Sequence, residues 1–232
     1  GWGGLALYLA ERFGVEVEGI TLSREQLRIA EERAVARGLA GRVRFALRDY
    51  RHESGRYDRV VSVGMFEHVG VNHYPAFFAK VRDCLADDGV ALLHTIGRGD
   101  PPSSTNPWIR KYIFPGGYVP ALSELARAIE GSGLWTFDVE FWRLHYAETL
   151  RRWRERFLVN RERAAALYDE RFCRMWEYYL AATEMGFRFL RQGVFQVQLA
   201  RRIDAAPIVR DYMVDVERSL AASETARRNA AE

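Results

Sequence analysis

The chain has 232 residues, 48% of them hydrophobic and 28% charged, the make-up of a folded domain with a sizeable core rather than of a disordered segment. Thirty-four Lys and Arg against 31 Asp and Glu leave a net charge of +3, too small an excess to make nucleic acid the expected partner. Two widely separated cysteines, Cys84 and Cys173, exclude a disulfide framework and a cysteine metal cluster, and no apolar run approaches the roughly 20 residues that span a bilayer, so a cytoplasmic chain with at most peripheral membrane contact is expected.

The sequence opens on Gly1-Trp2-Gly3-Gly4 and runs at once into an apolar helical stretch, LALYLA. A nucleotide-binding glycine turn normally follows a strand, so the chain is expected to be a fragment lacking its first strand and natural N-terminus. Gly14 to Thr21 reads as a strand, and Ser23 with Gln26 as a capping box opening a helix to about Arg37. Arg42 to Asp49 alternates as a strand, Tyr57 to Val63 reads as a buried strand, Tyr74 to Ala86 as a helix and Gly89 to Ile96 as the next strand. Gly97 to Pro120, rich in Gly, Pro, Ser and Asn, is expected to be a long loop acting as a lid. A helix near Ser123 to Glu130, a strand from Trp135 to Trp142, helical segments from Tyr146 to Phe189 and a last strand at Val194 to Arg201 follow. This alternation predicts an α/β fold with a mostly parallel sheet covered by helices on both faces and a helical insertion before the last strand. Residues 1–204 are expected to form one domain, with covering helices over about 143–190, and 205–232 a tail that is either a peripheral helix or a frayed end.

Several residues have the chemistry of a site. Gly1, Gly3 and Gly4 can bring backbone N–H groups close to an anionic ligand, or can simply make a turn. Asp49 and Tyr50, after a strand, suit an adenine amino group and ring face, or a strand-end cap. Glu67 follows the YDRVVSV strand and His94 lies near the end of LLHTI; neighbouring parallel strands lie about 4.8 Å apart, so the pair can face one pocket as acid and base, although a strand-end His is also a common structural residue. Tyr178 and Tyr179 lie in an aromatic helical stretch that by itself reads as core. Arg151 to Arg163 interleaves cations with aromatics and either meets anionic headgroups or forms a solvated, ion-paired helix.

Four strings, VVSVGMFEHVG at 60–70, LLHTIG at 92–97, NPWIRKYIFPGGYVP at 106–120 and MWEYYLAATEMGFR at 175–188, run in order through about 200 residues. Together they resemble the cyclopropane-fatty-acyl-phospholipid synthase family, including the mycolic acid cyclopropane synthases. The resemblance implies a Rossmann-like methyltransferase sheet and S-adenosylmethionine as methyl donor. It implies that Gly1, Trp2, Gly3, Thr21, Leu22, Gln26, Asp49 and Tyr50 meet the cofactor, with Thr21 standing where many other methyltransferases carry an acidic ribose ligand. It further implies that Glu67, His94, the backbone of Ile96 and Tyr179 line a bicarbonate site, completed in the family by a cysteine that neither Cys84 nor Cys173 matches.

The implied reaction is attack of a cis double bond in an unsaturated phospholipid acyl chain on the sulfonium methyl, giving a carbocation that loses a proton to bicarbonate as the ring closes. Phe66, Trp108, Phe114 and the tyrosines are expected to face the cation, and no metal is required. The implied setting is the cytoplasmic side of the membrane, with a homodimer left open. Competing readings are a relative that yields methyl-branched lipid or methylates a small molecule, and a truncated remnant that binds without turnover.

Overall fold

The computed structural model describes residues 1–229. Contacts divide it into two compact units, Gly1–Gly55 and the chain from Arg56 onward.

In the first unit a glycine turn leads into helix α1 (Gly4–Phe13), followed by strand β1 (Val17–Thr21), helix α2 (Arg24–Ala36) and strand β2 (Val43–Leu47). The two strands pair in parallel, with Thr21 opposite Leu47. Leu7 and Ala10 of α1, Ala34 of α2 and Val43 of β2 form one buried apolar cluster, so both helices sit on the same side of the ribbon. Half of the expected capping box forms: the Ser23 hydroxyl accepts from the Gln26 N–H at 3.2 Å. The Gln26 side chain instead accepts from the Thr21 hydroxyl at 2.7 Å, and that hydroxyl takes the Ser23 N–H.

The second unit contains strand β3 (Tyr57–Val63), helix α3 (Tyr74–Cys84), strand β4 (Leu85–Arg98), helices α4 (Pro107–Tyr112) and α5 (Leu122–Glu130), strand β5 (Trp135–Trp142), helices α6 (His145–Val159), α7 (Arg161–Leu167) and α8 (Glu170–Phe189), strand β6 (Gln192–Ala200) and helix α9 (Asp211–Asn229). Its sheet has the order β3-β4-β6-β5. β3 and β4 pair in parallel, and β6 runs antiparallel between β4 and β5, so β6 alone opposes the other three strands.

β4 shows why helices cover both faces. Ala91, Leu93 and Thr95 are buried on one face, where Phe77 and Val81 of α3 border the same small void as Ala91 and Leu93. Ile96 points to the other face and packs against a buried cluster that α6 and α8 form from Ala147, Leu150, Tyr179, Leu180 and Phe187. Cys84 and Cys173 are buried in α3 and α8.

Three expectations are corrected. β3 is an edge strand of its sheet, and Val61 and Val63 are 45% and 51% exposed, so its apolar run is only half buried. The expected loop from Gly97 to Pro120 contains α4, whose N-cap Asn106 accepts from the N–H groups of Trp108 and Ile109, with Pro107 in the first turn. β4 begins at Leu85 rather than Gly89, its first residues disguised by Asp87 and Asp88. Most of the tail forms α9, and residues 230–232 lie outside the described ones.

Candidate active site

In the first unit, three groups of candidate residues lie toward one edge. The carboxyl ends of the parallel strands carry Thr21 and Leu22 after β1, and Asp49 and Tyr50 after β2, with the Arg48 N–H bonded to the Thr21 carbonyl at 3.0 Å. α1 runs against the strands: its end at Gly14 is held by Arg42 at the start of β2, which puts its N-terminus toward the carboxyl edge. Gly3 adopts φ 81° there with no side-chain cap, so the first amides of the helix are left for solvent or ligand. A Cβ on Gly3 would lie 2.9 Å from both the Ala30 Cβ and the Phe45 ring, and the Trp2 carbonyl is held by Arg33 at 3.0 Å.

Leu22 is exposed. The Asp49 carboxylate caps a single-turn 3-10 helix (Tyr50–His52) by accepting from the Arg51 N–H, and its two oxygens take the Arg51 guanidinium at 3.0 and 2.7 Å. These Arg51 bonds hold the carboxyl down at about 2. Burial raises the Tyr50 phenol above its ordinary value.

In the second unit, Gly64, at φ 64°, turns the chain out of β3 into a single-turn 3-10 helix (Phe66–His68). That turn aims Glu67 back at the sheet. Its Oε1 accepts the Ile96 N–H at 2.7 Å, its carbonyl accepts the Tyr118 N–H at 2.8 Å, and its Oε2 is buried without a partner. Such an oxygen, in a carboxylate otherwise well held, requires a donor.

His94 lies opposite Val63 in the β3–β4 register. Burial lowers its pKa, and the charge of Glu67 only partly offsets this, so the ring is neutral at pH 7. The Gln196 amide nitrogen is 3.0 Å from Nδ1; with that amide donating, the remaining ring proton is on Nε2. Trp142 meets the imidazole edge-on at 5.9 Å.

Tyr179 is buried, and burial reinforced by Tyr146 pushes its phenol up to about 12. Tyr146 is raised as well, first by burial and then by the charge of Glu67. Both hydroxyls therefore remain donors at neutral pH. Phe114 meets Tyr179 edge-on at 5.9 Å, and Trp108 packs on the cluster around Tyr179. Phe66 is corrected: it is fully buried, stacked at 4.1 Å on Tyr74, and belongs to the core beneath α3. Tyr178, its neighbour in α8, is 59% exposed.

The structure thus gathers Glu67, His94, Ile96 and Tyr179 in one unit and the glycine turn, Thr21, Gln26, Asp49 and Tyr50 in the other. Sequence reasoning missed Gln196, Tyr146 and Trp142. Gln196 belongs to an ordinary alternating strand, and only its pairing opposite His94 reveals its role. In the Arg151–Arg163 stretch, Arg151 is paired with Glu148 and Glu155, Arg154 with Glu184, and Arg161 with Glu170, so much of its charge is neutralised internally. An open groove of about 660 Å³ lies between α4 and the first turns of α8. Among the described residues, no helix is long and apolar enough to cross a membrane.

A sequence profile described as mycolic acid cyclopropane synthetase matches residues 1–197. The cyclopropane-fatty-acyl-phospholipid synthase of Escherichia coli K12 is 42% identical over 207 residues, covering 88% of this chain and 52% of that protein. The tuberculostearic acid methyltransferase of Mycobacterium tuberculosis is also 42% identical, covering 87% and 48%. A solved mycolic acid cyclopropane synthase complexed with SAH and CTAB superimposes with a TM-score of 0.80 at 30% identity, over 86% of this chain and 74% of that one. The chain spans about half the length of these curated relatives.

Proposed function

The chain belongs to the mycolic acid cyclopropane synthetase family, and we propose that it serves an enzyme transferring a methylene group from S-adenosylmethionine to the cis double bond of an unsaturated phospholipid acyl chain. The observation that carries this reading is the Glu67 carboxylate, fixed on the Ile96 amide with its second oxygen buried and unpartnered. Simple heteroatom methylation does not need such an anion-orienting frame.

Residues 1–204 form the methyltransferase domain in this reading. S-Adenosylmethionine fits the first unit: the uncapped amides after Gly3 suit its carboxylate, Thr21, Leu22 and Gln26 its ribose and methionine part, and Asp49 and Tyr50 its adenine. When bound, it supplies an electrophilic methyl on a sulfonium. Gly3 keeps the backbone approachable, since a side chain there would collide with Ala30 and Phe45.

Bicarbonate fits the second unit by the chemistry of its donors and acceptors. Its hydroxyl would satisfy Glu67 Oε2, and its oxygens would accept from His94 Nε2–H and Tyr179 O–H; when bound it supplies the base that accepts the proton lost on ring closure. Glu67 orients rather than abstracts. Gln196 fixes the His94 tautomer, burial keeps the imidazole neutral, and Ile96 holds the carboxylate in place. The aromatic groups Phe114, Trp108 and Tyr146 exclude water and offer π faces to a transient cation.

We place the enzyme in the cytoplasm, peripherally on the inner face of the membrane. Exposed Val159, Leu167 and Tyr168, near the exposed arginines 156 and 163, support that placement. The equal identity to a named methyltransferase favours a second reading, in which the product is a methyl-branched lipid.

Mass spectrometry of dioleoyl phospholipid incubated with the protein and S-adenosylmethionine tests the proposal. A gain of one CH2 with loss of the alkene, absent in Glu67→Gln, is expected. A gain of CH2 with a surviving double bond would transfer the chain to the second reading, and unchanged lipid would refute both.

A further inference from the structure

From the groove between α4 and α8 we infer a binding site for the phosphodiester headgroup of an anionic membrane phospholipid, with Arg171 and Arg174 as its cationic clamp. The inference rests on the proposed lipid substrate and deepens it by assigning a headgroup class.

The groove's volume of about 660 Å³ lies in the usual range of small-molecule sites. Arg171, Arg174, Met175 and Tyr178 all border it, and their spacing of three and four places them along one face of α8. Trp108 and Tyr112 of α4 form the opposing wall, with Trp108 edge-on to Tyr178 at 4.8 Å. One wall is therefore aromatic while the rim is cationic, and the Lys111 ammonium lies 5.0 Å from the centre of the Tyr112 ring.

The charges of this region are unevenly committed. Glu170 is taken by Arg161 at 2.6 Å, and Glu177 approaches the same guanidinium at 3.8 Å. Asp169, which also borders the groove, caps α8 by accepting from the Phe172 N–H at 2.6 Å. Among the described residues, Arg171 and Arg174 are exposed and make no close side-chain hydrogen bond or ion pair; Arg161 lowers the Glu170 carboxyl first, and the charge of Arg174 adds to this only at longer range. Two uncommitted guanidiniums one helical turn apart match a phosphate, which accepts several N–H bonds at once. The apolar wall beside them matches the glycerol and upper acyl region, a combination that a free phosphate would not use. Trp108 joins the two sites, because it also packs on the Tyr179 cluster.

Vesicle co-sedimentation of the protein tests the inference. Wild type, Arg171→Ala/Arg174→Ala and the charge-matched control Arg24→Ala/Arg127→Ala are compared on phosphatidylglycerol-containing vesicles and on phosphatidylcholine alone. The groove variant is expected to lose at least about tenfold in affinity for the anionic vesicles, the control less than about twofold, and the groove variant's KM for phosphatidylglycerol is expected to rise with kcat kept. Equal losses in both variants would reduce the effect to general surface charge and overturn the site, as would no loss in either. Wild-type protein that shows this binding pattern yet alkylates no lipid would count against the proposed function while supporting the groove.

Discussion

At position 67 one carboxylate oxygen is fully served and the other is buried with no donor. Glu67→Gln keeps the size and the Ile96 contact but turns an acceptor into a potential donor. It is expected to lower kcat by about 100-fold, within the range for a group that orients acid–base chemistry, while leaving the urea midpoint within experimental error. His94 gives a pH signature. Its native pKa is depressed by burial, so the unfolded state binds the extra proton more readily. Stability is therefore full above the unfolded value of about 6.5 and falls as pH drops from there toward the lower native value. Thermal unfolding across that window should show the loss in wild type and a flatter profile in His94→Gln. Glu67 and His94 were legible because one follows a recognisable strand and the other lies within the next. Gln196 was not, since it lies 102 residues from its imidazole partner and nothing local distinguishes it.

Elements were legible where a segment's own chemistry agrees with its place in the fold. β5 lies where its aromatic and β-branched residues predict, and β3 matches its YDRVVSV run to the residue. The burial of β3 was misjudged because one of its faces, carrying Val61 and Val63, is left half exposed, and what covers a sheet face is not written in the strand itself. α4 was hidden in a stretch rich in turn-formers, although Asn106-Pro107 is itself a helix-start signal. The turn into α1 depends on Gly3. Gly3→Ala would meet Ala30 and Phe45 at a backbone angle that favours glycine, and should destabilise the first unit by about 1–3 kcal/mol and weaken S-adenosylmethionine binding, read by denaturation and calorimetry. α6 and α8 are joined by Glu184, only 3% exposed, which pairs with Arg154 and Arg188. Glu184→Ala leaves those arginines without their buried partner. A loss of about 2–3 kcal/mol in urea unfolding is expected, below the figure for a fully buried pair because both arginines keep some water.

Across the whole chain the chemistry is divided: residues up to Gly55 carry the groups suited to a methyl donor, and the chain beyond carries the anion frame and the lipid-facing groove. Overall composition could not have indicated this, since a net charge of +3 averages over committed ion pairs and uncommitted cations such as Arg171 and Arg174. The central claim is that a methylene rather than a methyl group is delivered. Incubation of the protein with S-adenosylmethionine deuterated at its methyl group, followed by mass analysis of the lipid, tests it directly. The account predicts that a CD2 unit is incorporated and the alkene lost, because one deuteron leaves to the base as the ring closes. Retention of all three deuterons in the lipid would contradict it.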